Sequence, residues 1–131
     1  MTERSGHVDT FCADNAPPRE LWPERDWTGV PEIAYPDRLN CAVELLQKMV
    51  AGGRGDRIVF RYPGGQWTYS HLHEISNRIA NVLVNELGLL PGNRVLLRGP
   101  NNPMIAACWF AVLKAGGVVV CTMPLLRKRE L

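Results

Sequence analysis

Several absences narrow this chain before any motif is read. No stretch approaches the ~20 consecutive apolar residues needed to cross a bilayer, and the N-terminal MTERSGHVDTF carries no apolar run of the signal-sequence kind. The reading is a cytoplasmic protein with no membrane partner. The four cysteines, Cys12, Cys41, Cys108 and Cys121, form no C-x-x-C pair. Two of them lie inside apolar runs, where a thiol behaves as a small hydrophobe, so all four are read as reduced and structural. Neither sign of charge dominates: 15 Lys and Arg against 13 Asp and Glu leave +2. The aromatic residues are scattered rather than interleaved with basic ones, and together these two features exclude a nucleic-acid partner. Internal repeats and low-complexity tracts are also missing.

What is present fits an ordinary globular chain: 46% of the residues are apolar and 21% charged, outside the range of disordered sequences. The charge is unevenly placed. Residues 1–40 hold eight acidic and four basic side chains, whereas residues 41–131 hold five and eleven. An acidic lead on a basic body is compatible with the lead lying back on that body, solvated charge being the plainer alternative. Five of the ten prolines fall at Pro17, Pro18, Pro23, Pro31 and Pro36, which denies residues 1–38 any long helix and favours extended and turn backbone. Trp22, Trp27 and Tyr35 are candidate anchors for this lead, since amphipathic rings bury well with one edge wet.

From residue 39 the pattern becomes regular. Asn40 is a candidate N-cap for CAVELLQKMV, whose Val43, Leu45, Leu46, Met49 and Val50 repeat at helical spacing until Gly52-Gly53. RIVFRYPGGQWTY predicts a β-hairpin, with Ile58, Phe60 and Tyr62 alternating and Pro63-Gly64-Gly65 turning. Ser70 is the expected cap of a second helix bearing Leu72, Ile75, Ile79, Val82 and Leu83, with Gly88 as its left-handed exit. A strand is expected at 94–98, then a helix with Asn102 as cap and Pro103 at its first position, then the strand VVVCT. Two apolar strands joined by a crossover of about 20 residues must run parallel, with a right-handed connection expected. The fold class is therefore α/β.

Two features of the last unit point beyond it. From Met104 to Leu113 every residue is apolar, so every side of that helix favours burial, where a surface helix would show one stripe. VVVC likewise lacks alternation, as expected of a strand covered on both faces. Four large side chains left in water at roughly 2 kcal/mol each would forfeit about 8 kcal/mol, comparable to the stability of a whole domain. The expectation is that this chain self-associates or is the opening section of a larger domain.

Candidate chemistry is thin. GGRGDRI (52–58) is glycine-rich, but it leads from a helix into a strand, the reverse of a phosphate-cradling loop. His71 and His73 lie two apart at a helix start, so they point to different sides and are read as surface residues; His7 has no partner set at ligand spacing. Ser5, Ser70 and Ser76 form no triad with His and Asp, so no catalytic residue and no metal ligand is nominated. Arg127-Lys128-Arg129 could meet a phosphate or simply be solvated.

WTYSHLHEISNRIANVL (67–83) resembles the T-Y-x-E-L segment of the adenylate-forming superfamily, which includes acyl-CoA synthetases, luciferases and peptide-synthetase adenylation domains. PGNRVLLRGPNNPMIAACWFAVLKAGGVVVCTMPLL (91–126) resembles the next segment, L-K-A-G-x-x-x-x-P, in its strand-helix-strand setting. HVDTFCADNAPPRELWPE (7–24) and YPDRLNCAVELL (35–46) are most similar to 2-aminobenzoate-CoA ligases, close to benzoate-CoA ligases. His71 departs from the family pattern, which usually has Glu there.

The resemblance implies residues 1–38 as an extended lead and 39–131 as an incomplete N-terminal portion of the ligase domain. It implies two-step chemistry for a full-length relative: a carboxylate and ATP give an acyl-adenylate and pyrophosphate, then the sulfur of CoA displaces AMP. ATP, Mg²⁺ and CoA are the cofactors of such an enzyme. Its Ser/Thr/Gly-rich phosphate loop, later acidic residues and C-terminal lysine all lie beyond Leu131, so this chain is expected to bind none of the three and to be inactive alone. In some relatives a basic residue just after the last strand touches a CoA phosphate. Arg127 is the candidate here, with Leu125-Leu126 intervening. The expected partner is the remainder of the ligase domain, or a second copy through apolar surface. The alternative is a non-enzymatic interaction module that pairs with itself or with a separate ligase remainder.

Overall fold

A computed structural model describes residues 6–24, 26, 28–30, 32, 35, 36 and 38–129. The lead holds short turns of helix, among them α1 (Phe11–Asp14) and a 3₁₀ turn at Arg19–Leu21, and its prolines favour such short pieces over a long helix. Trp22 is held locally: its indole N–H donates to the Pro17 carbonyl at 2.7 Å and the Arg19 guanidinium lies 5.2 Å from its ring. Tyr35, expected to anchor, is 70% exposed, and Trp27 lies outside the described residues.

Residues 41–54 coil into a helix with wide, π-type winding at Val43–Gln47 and Val50–Arg54. Asn40 starts it as expected, its Oδ1 accepting the Ala42 N–H at 2.9 Å, and its Nδ2 also donates to the Leu113 carbonyl at 2.8 Å, fastening this helix to a distant one. Gly53, at φ 73°, ends it.

The hairpin follows, β1 (Ile58–Tyr62) pairing antiparallel with β2 (Gly65–Thr68). The register shifts between Ile58 and Phe60, and this irregularity corrects the expected alternation. Val59 and Phe60 pack against the core while Ile58 and Tyr62 are largely exposed, because a bulge turns neighbouring side chains off the regular period.

Helix α2 (Tyr69–Asn81) continues into a wide turn at Val82–Glu86, and Gly88 leaves it at φ 66°. Its cap is Thr68 and not Ser70: the Thr68 hydroxyl accepts the His71 N–H at 3.2 Å from extended backbone. Ser70 sits two residues too far along, inside the first turn, with its N–H donating to the Gly55 carbonyl at 2.8 Å. Any Cβ on Gly55 would lie 2.2 Å from the Ser70 Oγ.

The last unit is as read from the sequence. β3 (Arg94–Arg98) and β4 (Val118–Thr122) pair in parallel, from Arg94 opposite Val118 to Arg98 opposite Thr122, around α3 (Pro103–Lys114). Asn102 caps α3, accepting the Ile105 N–H at 3.0 Å. Gly116 turns the chain back at φ 77°, and a Cβ on Gly117 would meet Val112 Cγ1 at 2.9 Å, so only glycine lets β4 start this close to α3. Among the described residues the strands form two separate two-stranded sheets.

The core lies where α2 crosses α3. On α2 the buried row is Leu72, Ser76 and Ala80; on α3 it is Pro103, Ala107 and Ala111, with Val112 beside it. Both rows run at intervals of four, the ridge along which helices interdigitate, and their residues are mostly small, so the backbones can come close. Ser76 can be buried because its hydroxyl donates to the Leu72 carbonyl at 2.7 Å. Leu46 from the first long helix joins Leu72 and Ala107, with Val59, Trp67, Ile75 and Phe110 packed around them. Burying Leu46 and Leu72 stabilises the fold by about 2 kcal/mol each. Val82, expected on the inner stripe, is 41% exposed because the wide turn rotates it outward.

The all-apolar helix is fully buried along one side and half-buried round most of the rest. Ala107, Ala111 and Val112 are buried, Ile105, Trp109 and Phe110 are half-buried, and Met104 is 47% exposed. β4 corrects the expectation of cover on both faces: Val120 and Cys121 are exposed, because β3 is its only partner among the described residues. The cysteines are free, as expected, but only Cys108 is partly buried, so the packing role read for the others does not hold.

Ala111→Leu should overpack the α2–α3 contact and lower stability by about 1–3 kcal/mol. Met104→Leu, at an exposed position of the same helix, should stay within about 0.5 kcal/mol. Urea unfolding midpoints of the two variants measure the difference.

Candidate functional site

Ligands of open parallel sheets bind beyond the carboxyl ends of the strands. Here that end is formed by Arg98 and Thr122, opposite each other in register. The chain leaves β3 through Gly99-Pro100-Asn101-Asn102 to the N-terminus of α3, whose free amides and dipole present positive potential. It leaves β4 through Met123-Pro124-Leu125-Leu126, where the Leu126 N–H donates to the Met123 carbonyl at 3.2 Å.

Arg98 joins the two exits. Its Nη2 donates to the Pro124 carbonyl at 2.9 Å and also to the Leu126 carbonyl, so a guanidinium at the end of β3 shapes the segment that follows β4. Sequence reasoning passed over Arg98; the signal available was a second cation closing the strand RVLLR after its apolar centre. The nominated Arg127 is exposed and comes directly after this braced segment. The structure thus brings it to the same end of the sheet as Arg98 and the start of α3. The Thr122 hydroxyl at this end is buried with no hydrogen-bond partner among the described residues.

A second polar cluster lies between α2 and α3. Lys114, the last residue of α3, donates to the Asn77 side chain, and burial lowers its pKa. His73 was read as a surface residue; it is half-buried on α2, with Nδ1 enclosed and unpartnered. Its pKa is lowered, first by burial and then by the nearby Lys114 charge. His71 is exposed as expected and stands edge-on to Trp67, ring centroids 4.6 Å apart. The two histidines do not converge. Burial raises the pKa of the Cys108 thiol, which keeps it protonated and unreactive.

An open cleft of about 700 Å³ lies between the lead and the end of α3, bounded by Gly6, His7, Arg38, Asn40 and Cys41 on one side and Lys114–Gly117 on the other. A smaller groove of about 330 Å³ separates Phe60 and Tyr62 of the hairpin from Asn102 and Pro103 at the start of α3. Among the described residues no three His, Cys, Asp or Glu side chains come together in a way that could hold a metal ion. No helix among them is long and apolar enough to cross a membrane.

The comparisons with known proteins agree with this geometry. Residues 46–131 match the family described as AMP-binding enzyme. The chain is 34% identical over 113 residues, 86% of its length, to a long-chain-fatty-acid–CoA ligase of Escherichia coli, and covers 20% of that ligase. It is 30% identical over 100 residues, 76% of its length, to a benzoate–CoA ligase of Thauera aromatica, of which it covers 19%. Among solved structures, an anthranilate CoA ligase in complex with anthranoyl-AMP superposes at a TM-score of 0.67 with 24% identity, over 73% of this chain and 18% of that one. This chain belongs to the AMP-binding enzyme family, and its fold is that of part of the N-terminal domain of adenylate-forming enzymes. It spans about a fifth of the length of the relatives it matches.

The lowered pKa of His73 predicts a pH dependence. The unfolded chain takes up a proton near the ordinary histidine value of 6.5, while the folded chain resists it to lower pH. The unfolded state therefore binds more protons in that window, and stability falls as pH drops through 6.5 toward the folded-state pKa. Urea midpoints at pH 7.5 and 5.5 should differ in the wild type, and the difference should shrink in His73→Gln.

Proposed function

We propose that these 131 residues form the N-terminal portion of an ATP-dependent aromatic acid–CoA ligase of the 2-aminobenzoate or benzoate type. Residues 1–38 are its lead and residues 39–131 part of its ligase domain. The observation that carries the reading is the family match over residues 46–131, which takes in the whole β3–α3–β4 unit. The aromatic preference is supported by the similarity of residues 7–24 and 35–46 to 2-aminobenzoate-CoA ligases and by the benzoate–CoA ligase among the relatives. The long-chain-fatty-acid–CoA ligases support the wider acid–thiol ligase class.

In the proposed reaction a carboxylate oxygen attacks the α-phosphorus of ATP and pyrophosphate leaves; the CoA thiol then attacks the acyl carbonyl and AMP leaves. Adenylation replaces a poor leaving group by a good one. ATP, Mg²⁺ and CoA belong to the complete enzyme. The part of this chain is to supply framework, with Arg127 as a contact to a CoA phosphate and no catalytic residue. Its partner is the remainder of the ligase domain, and its compartment the cytoplasm.

Pairing with a second copy is a further reading, favoured by the exposure of Leu96 (53%) and Val120 (40%), which share one face of the parallel pair. Sedimentation of the purified chain should then show a concentration-dependent dimer, and a monomer at all concentrations counts against it.

The function is tested by reading the nucleotide sequence past codon 131 and assaying the encoded product. A continuing frame with a Ser/Thr/Gly-rich loop ending in Lys supports the proposal, and unrelated sequence rejects it. ATP–pyrophosphate exchange should be absent for residues 1–131 alone. In the longer product it should be at least about tenfold faster with 2-aminobenzoate or benzoate than with a long-chain fatty acid, a difference of about 1.4 kcal/mol in transition-state binding. The reverse preference would overturn the aromatic assignment, and exchange by the short chain would overturn its inactivity.

A further inference from the structure

We infer that residues 6–11 form a latched strap that closes one wall of the cleft at the end of α3, with the Asp9 carboxylate as the latch. The strap lies across the turn that leads into β3. The Val8 and Asp9 amides both donate to the Pro91 carbonyl at 2.9 Å. Gly92 beneath them is buried at φ 95°, and a Cβ there would lie 2.1 Å from the Asp9 carbonyl oxygen and 2.9 Å from His7 Cβ. The absence of a side chain at 92 is what allows two backbone segments to touch.

Asp9 then fixes the strap by charge. One carboxylate oxygen accepts the Phe11 N–H at 3.0 Å and so starts α1. The other accepts the Asn93 side-chain N–H at 2.7 Å and the Arg94 guanidinium. Arg94 also lies 4.4 Å from the Phe11 ring, so the strap grips it from two sides. At its other end Gly6 lies against the Arg38 guanidinium, which an added Cβ would approach to 3.2 Å.

These contacts complete the cleft. Its wall on this side is Gly6 and His7, its floor Pro91, and its far side Leu113–Gly117. Past the strap nearly every described residue from Cys12 to Leu39 is exposed. Docking of the lead therefore depends on residues 6–11, and undocking them would open the cleft while leaving the α2–α3 core untouched, since no strap residue belongs to that core.

The charged and titratable groups around the latch are Arg94 on β3, His7 and Asp14 on the lead itself, and Arg38 beyond Gly6. The Phe11 amide, followed by Asn93 and Arg94, holds the Asp9 carboxyl below the usual carboxylate value of 3.8. The unfolded or undocked carboxyl takes a proton first as pH falls, so the latch is fully set above that value and is lost as pH falls through the depressed one.

The test is hydrogen exchange on the complete 131-residue chain at neutral pH, comparing wild type with Asp9→Asn and Arg94→Met. Asparagine turns an acceptor into a donor facing two donors, and methionine keeps the stem of Arg94 without its charge. Either variant should speed exchange of the Val8 and Asp9 amides about tenfold or more, as loss of a charge-assisted bond implies, with the Ala111 and Val112 amides unchanged. The inference is overturned if wild-type Val8 and Asp9 are unprotected, if neither variant loosens them, or if the α3 amides loosen in step.

Discussion

The close approach of α2 and α3 is the constraint on which the remaining structure rests. Ser76 and Ala80 face inward on one helix, Ala107 and Ala111 on the other, and each is nearly or wholly removed from solvent. Small residues along both four-residue ridges let the two backbones come close. Everything else is hung on that contact. Leu46 closes it from the side of the first long helix, Lys114 bridges to Asn77 at its end, and Asn40 reaches the last carbonyls of α3. The parallel strands on either side of α3 are positioned by the same helix, since both leave and re-enter it through short connections.

Much of this architecture was legible in the sequence because the elements announce themselves locally. Asn102-Pro103 and Gly88 carry their backbone conformations in their chemistry, and the structure uses each as expected. The failures came where a local signal was ambiguous or where tertiary context decided. Thr68 and Ser70 are both chemically able to cap a helix, and only the extended backbone at Thr68 selects it. The bulge between Ile58 and Phe60 leaves no compositional trace, so the alternation of the hairpin was misread. The burial of Ser76 depends on a bond to its own helix that periodicity does not reveal. His73 is half-buried because Lys114 and α3 lie over it, which only the packed pair of helices can show.

Less of the candidate site was legible. Arg127 was nominated from a family resemblance, and it follows directly on the segment that Arg98 braces. Its organising residue, Arg98, was invisible because its role is to brace backbone carbonyls 26 and 28 positions away. What the described residues supply is an apolar helix fully buried along one side and a strand pair with one braced exit.

The parallel pairing of β3 with β4 has a consequence for how the chain acquires its shape. A hairpin such as β1–β2 can zip from its own turn, but parallel strands have no such nucleus. Residues 99–117 must first be gathered into a loop whose ends meet side by side, and that closure entropy is lost before any inter-strand bond forms. Docking of α3 on α2 reduces the cost by shortening the free path, and Gly116 with Gly117 lets the returning strand begin at once. The strand pair is therefore the late-forming part of this molecule, and its assembly rate is governed by how readily the two helices meet.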